Sequence, residues 1–391
     1  MPLADILAID RETLVFAKKE TTFGTLIKPV AADQVLLVGD GAISQDRAFL
    51  PDKQKRNTYS ARPPFPGRYN VGAFNFPFYI KPSGALGTKP DGAQLLEGLF
   101  GRETVTGSTK VEYFLLRTTD TRPSLTIWAK VGHWVYMLAG VLVNEGRFPI
   151  RAGNEDEAIG RCSVSGFFTE LRWTGTDELA ADPALGATSI TVLDASKFSV
   201  GSYIKKGTDD NAGAGYQVTA VNLTTNVLTI TPGTVADWAL GDKIEPWLPA
   251  GTESGSVVHG RLGTVARGAT TLPLVGGEIV VTNGIKLLDN EKNSKDFADR
   301  FIHATERTVD VSAEVFFTHN MAKYFSEHTR QIQADVVATF GDTAAKRYKL
   351  TAKNVELKHP GLSGNEEKIL KMEGKAFASA SYDDELVMLL D

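Results

Sequence analysis

The chain has 391 residues, 42% of them hydrophobic, and a formal net charge of -5. It is long enough for two or three domains with their own cores, and too apolar to be disordered. The acidic balance weighs against tight non-specific binding to nucleic acid, which needs many Lys and Arg contacts to phosphate, though not against a surface along which DNA slides.

One cysteine, Cys162, rules out an internal disulfide and a cysteine metal cluster. No apolar run reaches the roughly 18 residues of a membrane span. Asp5, Asp10, Arg11 and Glu12 interrupt any secretory signal, so synthesis in the cytosol is expected.

Residues 1–35 read as an N-terminal arm. Weak helical turns at Leu3, Ile6 and Leu7 lead to the apolar run Leu14-Val15-Phe16-Ala17, expected to dock on the body or on a neighbouring copy. A first β module is expected over 36–180. Within it, 44–68 is long, polar and rich in proline (Pro51, Pro63, Pro64, Pro66), and reads as an extended hairpin or arm. The strand expected over 69–80 alternates with period two, Phe74, Phe76, Phe78 and Ile80 on one face and Ala73, Asn75 and Tyr79 on the other. A short helix is expected from Asp91, with Gln94 completing a capping box and Leu95, Leu96, Leu99 and Phe100 forming its apolar stripe. Strands follow near 111–116 and 124–143. After the acidic loop Asn154-Glu155-Asp156-Glu157 comes a strand over 162–171. Cys162, Val164, Gly166 and Phe168 share one side of it, so Cys162 reads as a buried structural thiol.

The texture changes over 185–248, rich in Thr, Val, Gly and Asp. Short strands are expected at 189–193, 203–206, 217–221 and 227–231, forming a small inserted β domain. Its aromatics Tyr203, Tyr216, Trp238 and Trp247 are either its core or a platform for stacking on sugars. A second module is expected over 255–391. Gly284-Ile285-Lys286-Leu287 opens a polar excursion, and a strand over 307–317 sets Val309, Val311, Ala313, Val315 and Phe317 against Thr308, Asp310, Ser312 and Glu314. A helix N-capped by Asn320 carries Met321, Tyr324 and Phe325. Strands over 331–340 and 347–357, the acidic turn Asn365-Glu366-Glu367-Lys368 and a strand over 369–377 complete it. The element order repeats that of the first module.

Signatures of chemistry are weak. The six histidines form no HExxH pair, Gly39-Asp40-Gly41 and Gly213-Ala214-Gly215 read as turns, not phosphate loops, and the acidic clusters read as solvated turns. No catalytic residue, metal or cofactor is expected, and an enzyme is the least favoured class.

The segment Glu20-Thr21-Thr22-Phe23-Gly24-Thr25 after an apolar stretch, the long loop before an aromatic strand, the single flanking helix and the ending 354–360, 367–377 and 384–390 resemble tail tube proteins of long-tailed bacteriophages. The resemblance implies a mainly β fold: two tandem tail-tube-like β-sandwich or barrel modules, each with one short flanking helix, plus the inserted all-β domain. It implies a structural virion protein of the tail, assembling with itself into stacked rings around a channel for double-stranded DNA. With two modules per chain, three subunits would make a pseudo-hexameric ring, with a hexamer as the runner-up. Tape measure, tail terminator and distal tail proteins are the implied partners, and no membrane insertion by this chain is implied. Alternatives are a baseplate-proximal tail protein, a tube subunit of a contractile injection machine, or a carbohydrate-binding adhesin. Under the tube reading, alternation assigns Asp310, Ser312, Glu314 and Asp335, with Glu112, to the channel wall, and Phe49, Tyr59, Phe65 and Arg68 to contacts between subunits or rings.

Overall fold

The computed structural model describes residues 13–39, 41–54, 60, 63–151, 158–289, 295–364, 367–379 and 382–391. Leu3, Ile6, Leu7, Asp40, Tyr59, Asn154-Glu155-Asp156-Glu157, Asn365 and Glu366 lie outside the described residues. The fold is mainly β, with two short α-helices among the described residues. The chain divides into two compact units: Met1–Val35, Leu125–Val141 and Phe168–Thr252 make one, and Leu36–Ser124, Leu142–Phe167 and Glu253–Asp391 the other.

In the first unit the strands run Gln34–Val35, Leu14–Lys19, Leu125–Val131, residues 134–141 of the strand Trp134–Arg151, then Glu170–Thr174, all antiparallel. The run Leu14-Val15-Phe16-Ala17 is thus a strand of its own chain, with Val15, Phe16 and Ala17 buried. The span 124–143, expected as one strand, is a hairpin turning at Gly132 with φ 58°. Residues 125–129 and 137–143 are buried on both faces, so burial does not alternate along most of either strand.

The same unit holds a six-stranded sheet in the order Asp177–Glu178, Lys243–Pro246, Tyr203–Lys206, Tyr216–Asn222, Val227–Thr231, Ser189–Thr191. It has its own core, which includes Leu179, Ile190, Phe198, Ile204, Tyr216, Val218, Leu228, Ile230, Trp238 and Ile244. Its first strand starts before residue 185, because Asp177 and Glu178 pair with Ile244 and Lys243. Asp177 is 2% exposed, and its carboxylate is satisfied by Lys197 Nζ at 2.7 Å and by the Asp194 amide at 2.7 Å. Tyr203 and Leu248 pack on the cluster Phe16, Trp128, Val135 and Met137.

In the second unit one antiparallel ladder runs from Ala42–Ser44 through Gly72–Tyr79, Arg161–Phe168, residues 142–151, Leu274–Thr282, Thr308–Phe316 and Ile369–Lys375 to Tyr348–Leu357. From Tyr348–Leu357 it continues through Leu386–Leu390 and Lys110–Leu115 to Gly101–Thr106. A branch passes from Tyr348–Leu357 to Gln333–Phe340 and Gly263–Arg267. Alternating burial is clean: Phe74, Phe76, Phe78 and Ile80 are buried, as are Cys162, Val164 and Phe168, and Val309, Val311, Ala313 and Val315. Burying each such side chain contributes roughly 1.5–3 kcal/mol before entropy is charged against it. Burial also pushes the Cys162 thiol far above its ordinary range, so it stays protonated and inert.

The helix Ala93–Phe100 buries Leu95, Leu96, Leu99 and Phe100 completely. Its start corrects the expected capping box. Gly92 takes a left-handed conformation at the N-cap, with no side-chain cap. Asp91, held outside the helix, instead accepts a hydrogen bond from Ser254 Oγ at 2.6 Å. Asn320 is likewise not a cap, because a 3-10 turn, His319–Met321, precedes the helix Lys323–Thr329 and moves its start to Ala322. Met321 and Tyr324 are nonetheless buried.

Each polar excursion forms a two-stranded hairpin, Arg47–Leu50 with Phe65–Tyr69 and Ile285–Leu288 with Arg300–His303. After each come a long strand, a short helix and further strands.

Candidate functional site

The polar excursion of Glu20 through Gly24 has a definite structural role. Glu20 is 7% exposed; its Oε1 accepts from the Gly140 amide at 2.8 Å and from Thr126 Oγ1 at 3.1 Å, and its Oε2 accepts from the Gly24 amide at 2.9 Å. Gly140 lies in a bulge of the strand Trp134–Arg151, with φ 63° and Thr169 where a Cβ would stand. A bulge leaves an amide without its ladder partner, and Glu20 supplies it.

In the second unit, successive side chains of the long ladder point to opposite faces. The face away from the buried rows bounds a groove of about 690 Å³. It is built by register. Arg147 lies opposite Ser163 on one side and Val280 on the other. Val280 is opposite Asp310, and Asp310 opposite Lys375. One step along, Glu278, Ser312 and Glu373 align across three strands, and one step further Gly276, Glu314 and Lys371 do. Cations and carboxylates are therefore interleaved. Arg147 Nε donates to Glu145 Oε1 at 2.6 Å and Arg147 Nη1 lies 3.7 Å from Glu278 Oε2, while Lys371 Nζ is 3.0 Å from Glu314 Oε1. The Glu145 hydrogen bond outweighs burial and raises the Arg147 pKa further.

Of the residues assigned by alternation, Ser312 and Glu314 line this groove, and Asp310 stands on the same strand one pair beyond. Asp335 and Glu112 are not among its lining. Asp335 sits at a bulge, its Oδ2 accepting from Lys353 Nζ at 2.8 Å and its Oδ1 from the Asn354 amide at 3.0 Å. Burial works to raise its pKa, but these bonds win and lower it. Glu112 pairs with Lys110 at 2.9 Å. Beside those carboxylates the groove is lined by cations that were not among the expected site residues: Arg147, Arg151, Arg161 and Lys371. The alternation of Arg147-Phe148-Pro149-Ile150-Arg151 and Lys371-Met372-Glu373 carried that signal.

The hairpin Arg47–Leu50 with Phe65–Tyr69 exposes Phe49, Leu50 and Phe65 by 65%, 57% and 55%, and pairs Leu50 with Phe65. Arg68 serves its own chain, its guanidinium donating to the carbonyls of Asp289 at 3.0 Å and Phe297 at 2.9 Å beside the second hairpin.

The inserted sheet's aromatics are engaged internally. Tyr216 and Trp238 meet edge to face at 5.1 Å, and Asp209 accepts from both, at 2.8 and 2.6 Å. Lys28 lies over the rings of Tyr203 and Trp247 at 4.8 and 4.4 Å. Among the described residues no group of three or more His, Cys, Asp or Glu side chains is placed to hold a metal ion. No protein-family model matches the chain, and no curated protein does either.

Proposed function

We propose that this chain is the subunit of a phage tail tube, a structural virion protein whose copies stack as rings around a channel for double-stranded DNA. The observation that carries the reading is the element order in the second unit: a two-stranded hairpin, a long alternating strand, one short helix and then further strands, met once from Arg47 and again from Ile285. Two such modules per chain give a pseudo-hexameric ring from three subunits. The long ladder buries one face and leaves the other polar, as a channel wall requires. Its terminal strands Ala42–Ser44 and Gly101–Thr106 each have one ladder partner among the described residues, and pairing between copies would cover such edges. Tape measure, tail terminator and distal tail proteins are the partners this role calls for.

Electron microscopy and native mass spectrometry of the purified protein test it. Rings or tubes with a central channel and three chains per ring are the expected result. Six chains per ring would overturn the stoichiometry, and channel-free monodisperse particles at high protein concentration would overturn the tube itself.

A further inference from the structure

A second cavity of the second unit, of about 410 Å³, is lined by Arg117, Arg122, Asn283, His303, Arg307 and Lys375, with Glu306, Asp383 and Glu385 as its carboxylates. Two of those carboxylates are committed to one cation. Arg307 Nη2 donates to Asp383 Oδ1 at 3.0 Å and to Glu385 Oε2 at 2.9 Å, and Arg307 Nη1 to the Leu116 carbonyl at 2.9 Å.

Arg122 is treated differently. It is 4% exposed, and every acceptor it meets is neutral. Its Nη1 donates to the Gly98 carbonyl at 3.1 Å and its Nη2 to Asn283 Oδ1 at 3.0 Å. Asn283 is locked in turn by its own bond to the Leu99 carbonyl at 2.9 Å. The end of the helix Ala93–Phe100 offers this guanidinium about half a negative charge at most. Nε of Arg122 and Nε of Arg307 are both buried without a partner. Arg117 and Lys375 make no ion pair among the described residues. Buried charges in proteins are paired as a rule, and this one is not.

The electrostatics agree with the geometry. Burial, and then Arg307, lower the Arg122 pKa to about 10. Burial, then Arg122, lower that of His303, and Arg307 adds to the effect. Arg122 thus feels Arg307 and His303 feels both, and no carboxylate is among the causes for either.

We propose that this cavity binds a small oxyanion of the phosphate or sulfate class from solution, held by Arg122 and His303 with Arg117 and Lys375 around it. The anion would supply the missing counter-charge to the guanidinium of Arg122, with His303, Arg117 and Lys375 as the groups that meet it at the cavity wall.

Titration calorimetry of the full chain with inorganic phosphate, against sodium chloride at matched ionic strength, tests this. Saturable binding at one site per chain is expected, weakened by about tenfold or more in Arg117→Gln and in His303→Gln. Neither side chain is part of the packed core, so these variants keep the fold where Arg122→Gln would endanger it. Lys358→Gln, which alters an exposed ion pair elsewhere, should bind as the parent does. Heats no larger than chloride gives, or undiminished binding in both cavity variants, would overturn the proposal.

Discussion

At the scale of single residues, Glu20 shows how a polar position can be structural. Three donors converge on a carboxylate that is almost fully buried. Leaving a buried donor unsatisfied costs about 1–3 kcal/mol, and solvent can serve Gly24 but not Gly140. Glu20→Ala should therefore lower the unfolding free energy by about 2–4 kcal/mol in urea titrations, with Glu20→Gln losing less because one oxygen still accepts. Nothing in the sequence around Glu20 showed this, since Thr126 and Gly140 lie over a hundred positions away. Asp391 makes the second residue-scale prediction. Hydrogen bonds from Arg347 at 2.6 and 3.0 Å and from Lys349 at 2.8 Å hold its carboxyl below the usual range, burial opposing them. A depressed folded pKa contributes stability that is complete above the unfolded value, about 3.9, and is lost as pH falls through the folded one. Stability measured from about pH 6 down to pH 3 should decline, and Asp391→Asn should flatten that decline while lowering stability at neutral pH by at most about 1 kcal/mol.

At the scale of elements, the hairpin Arg47–Leu50 with Phe65–Tyr69 carries its ties to the chain and its exposed apolar side chains on different residues. Arg47 and Arg68 tie it to its own chain through Asp296, Asp289 and Phe297, whereas Phe49, Leu50 and Phe65 are mostly exposed. Replacing those three by Ser or Thr should shift monomer stability by no more than about 0.5 kcal/mol per site; if the proposed tube forms, the same variant should abolish its growth in sedimentation assays, and normal tubes would remove this role. How legible each element was depended on its two faces. Strands with one buried and one polar face, such as Gly72–Tyr79 and Thr308–Phe316, announced themselves by alternation. The hairpin Leu125–Val131 with Trp134–Arg151 did not, because residues 125–129 and 137–143 are buried on both faces. The strands Tyr203–Lys206 and Val227–Thr231 coincide with their expected spans, bounded as they are by Gly and Asn turns. The helix starts were misread because Gly92 and the turn His319–Met321 supply backbone geometry that side-chain rules do not encode.

At the scale of the whole molecule, the groove face was half legible. Alternation gave the row Asp310, Ser312 and Glu314, but the neighbours across the ladder depend on register, which separates Arg147 from Asp310 by more than 160 positions while setting them two strands apart. If this face is a channel wall, the double variant Asp310→Lys with Glu314→Lys should leave tubes intact, since exposed ion pairs contribute only about 0–1 kcal/mol. It should also make DNA ejection slower and newly dependent on salt. Ejection kinetics identical to the parent at every salt concentration would count against the wall assignment.

The interleaving of charges on that face has a consequence for range. Charges of opposite sign paired at 2.6 to 3.7 Å, as Arg147 is with Glu145 and Glu278 and Lys371 is with Glu314, project dipolar fields whose reach is set by that separation. It is well below the screening length of about 8 Å at physiological salt. Beyond the first layers of water such a face is electrically quiet: if it is a channel wall, a polyanion passing it would meet neither a trap nor a barrier, and ionic strength would have little left to screen.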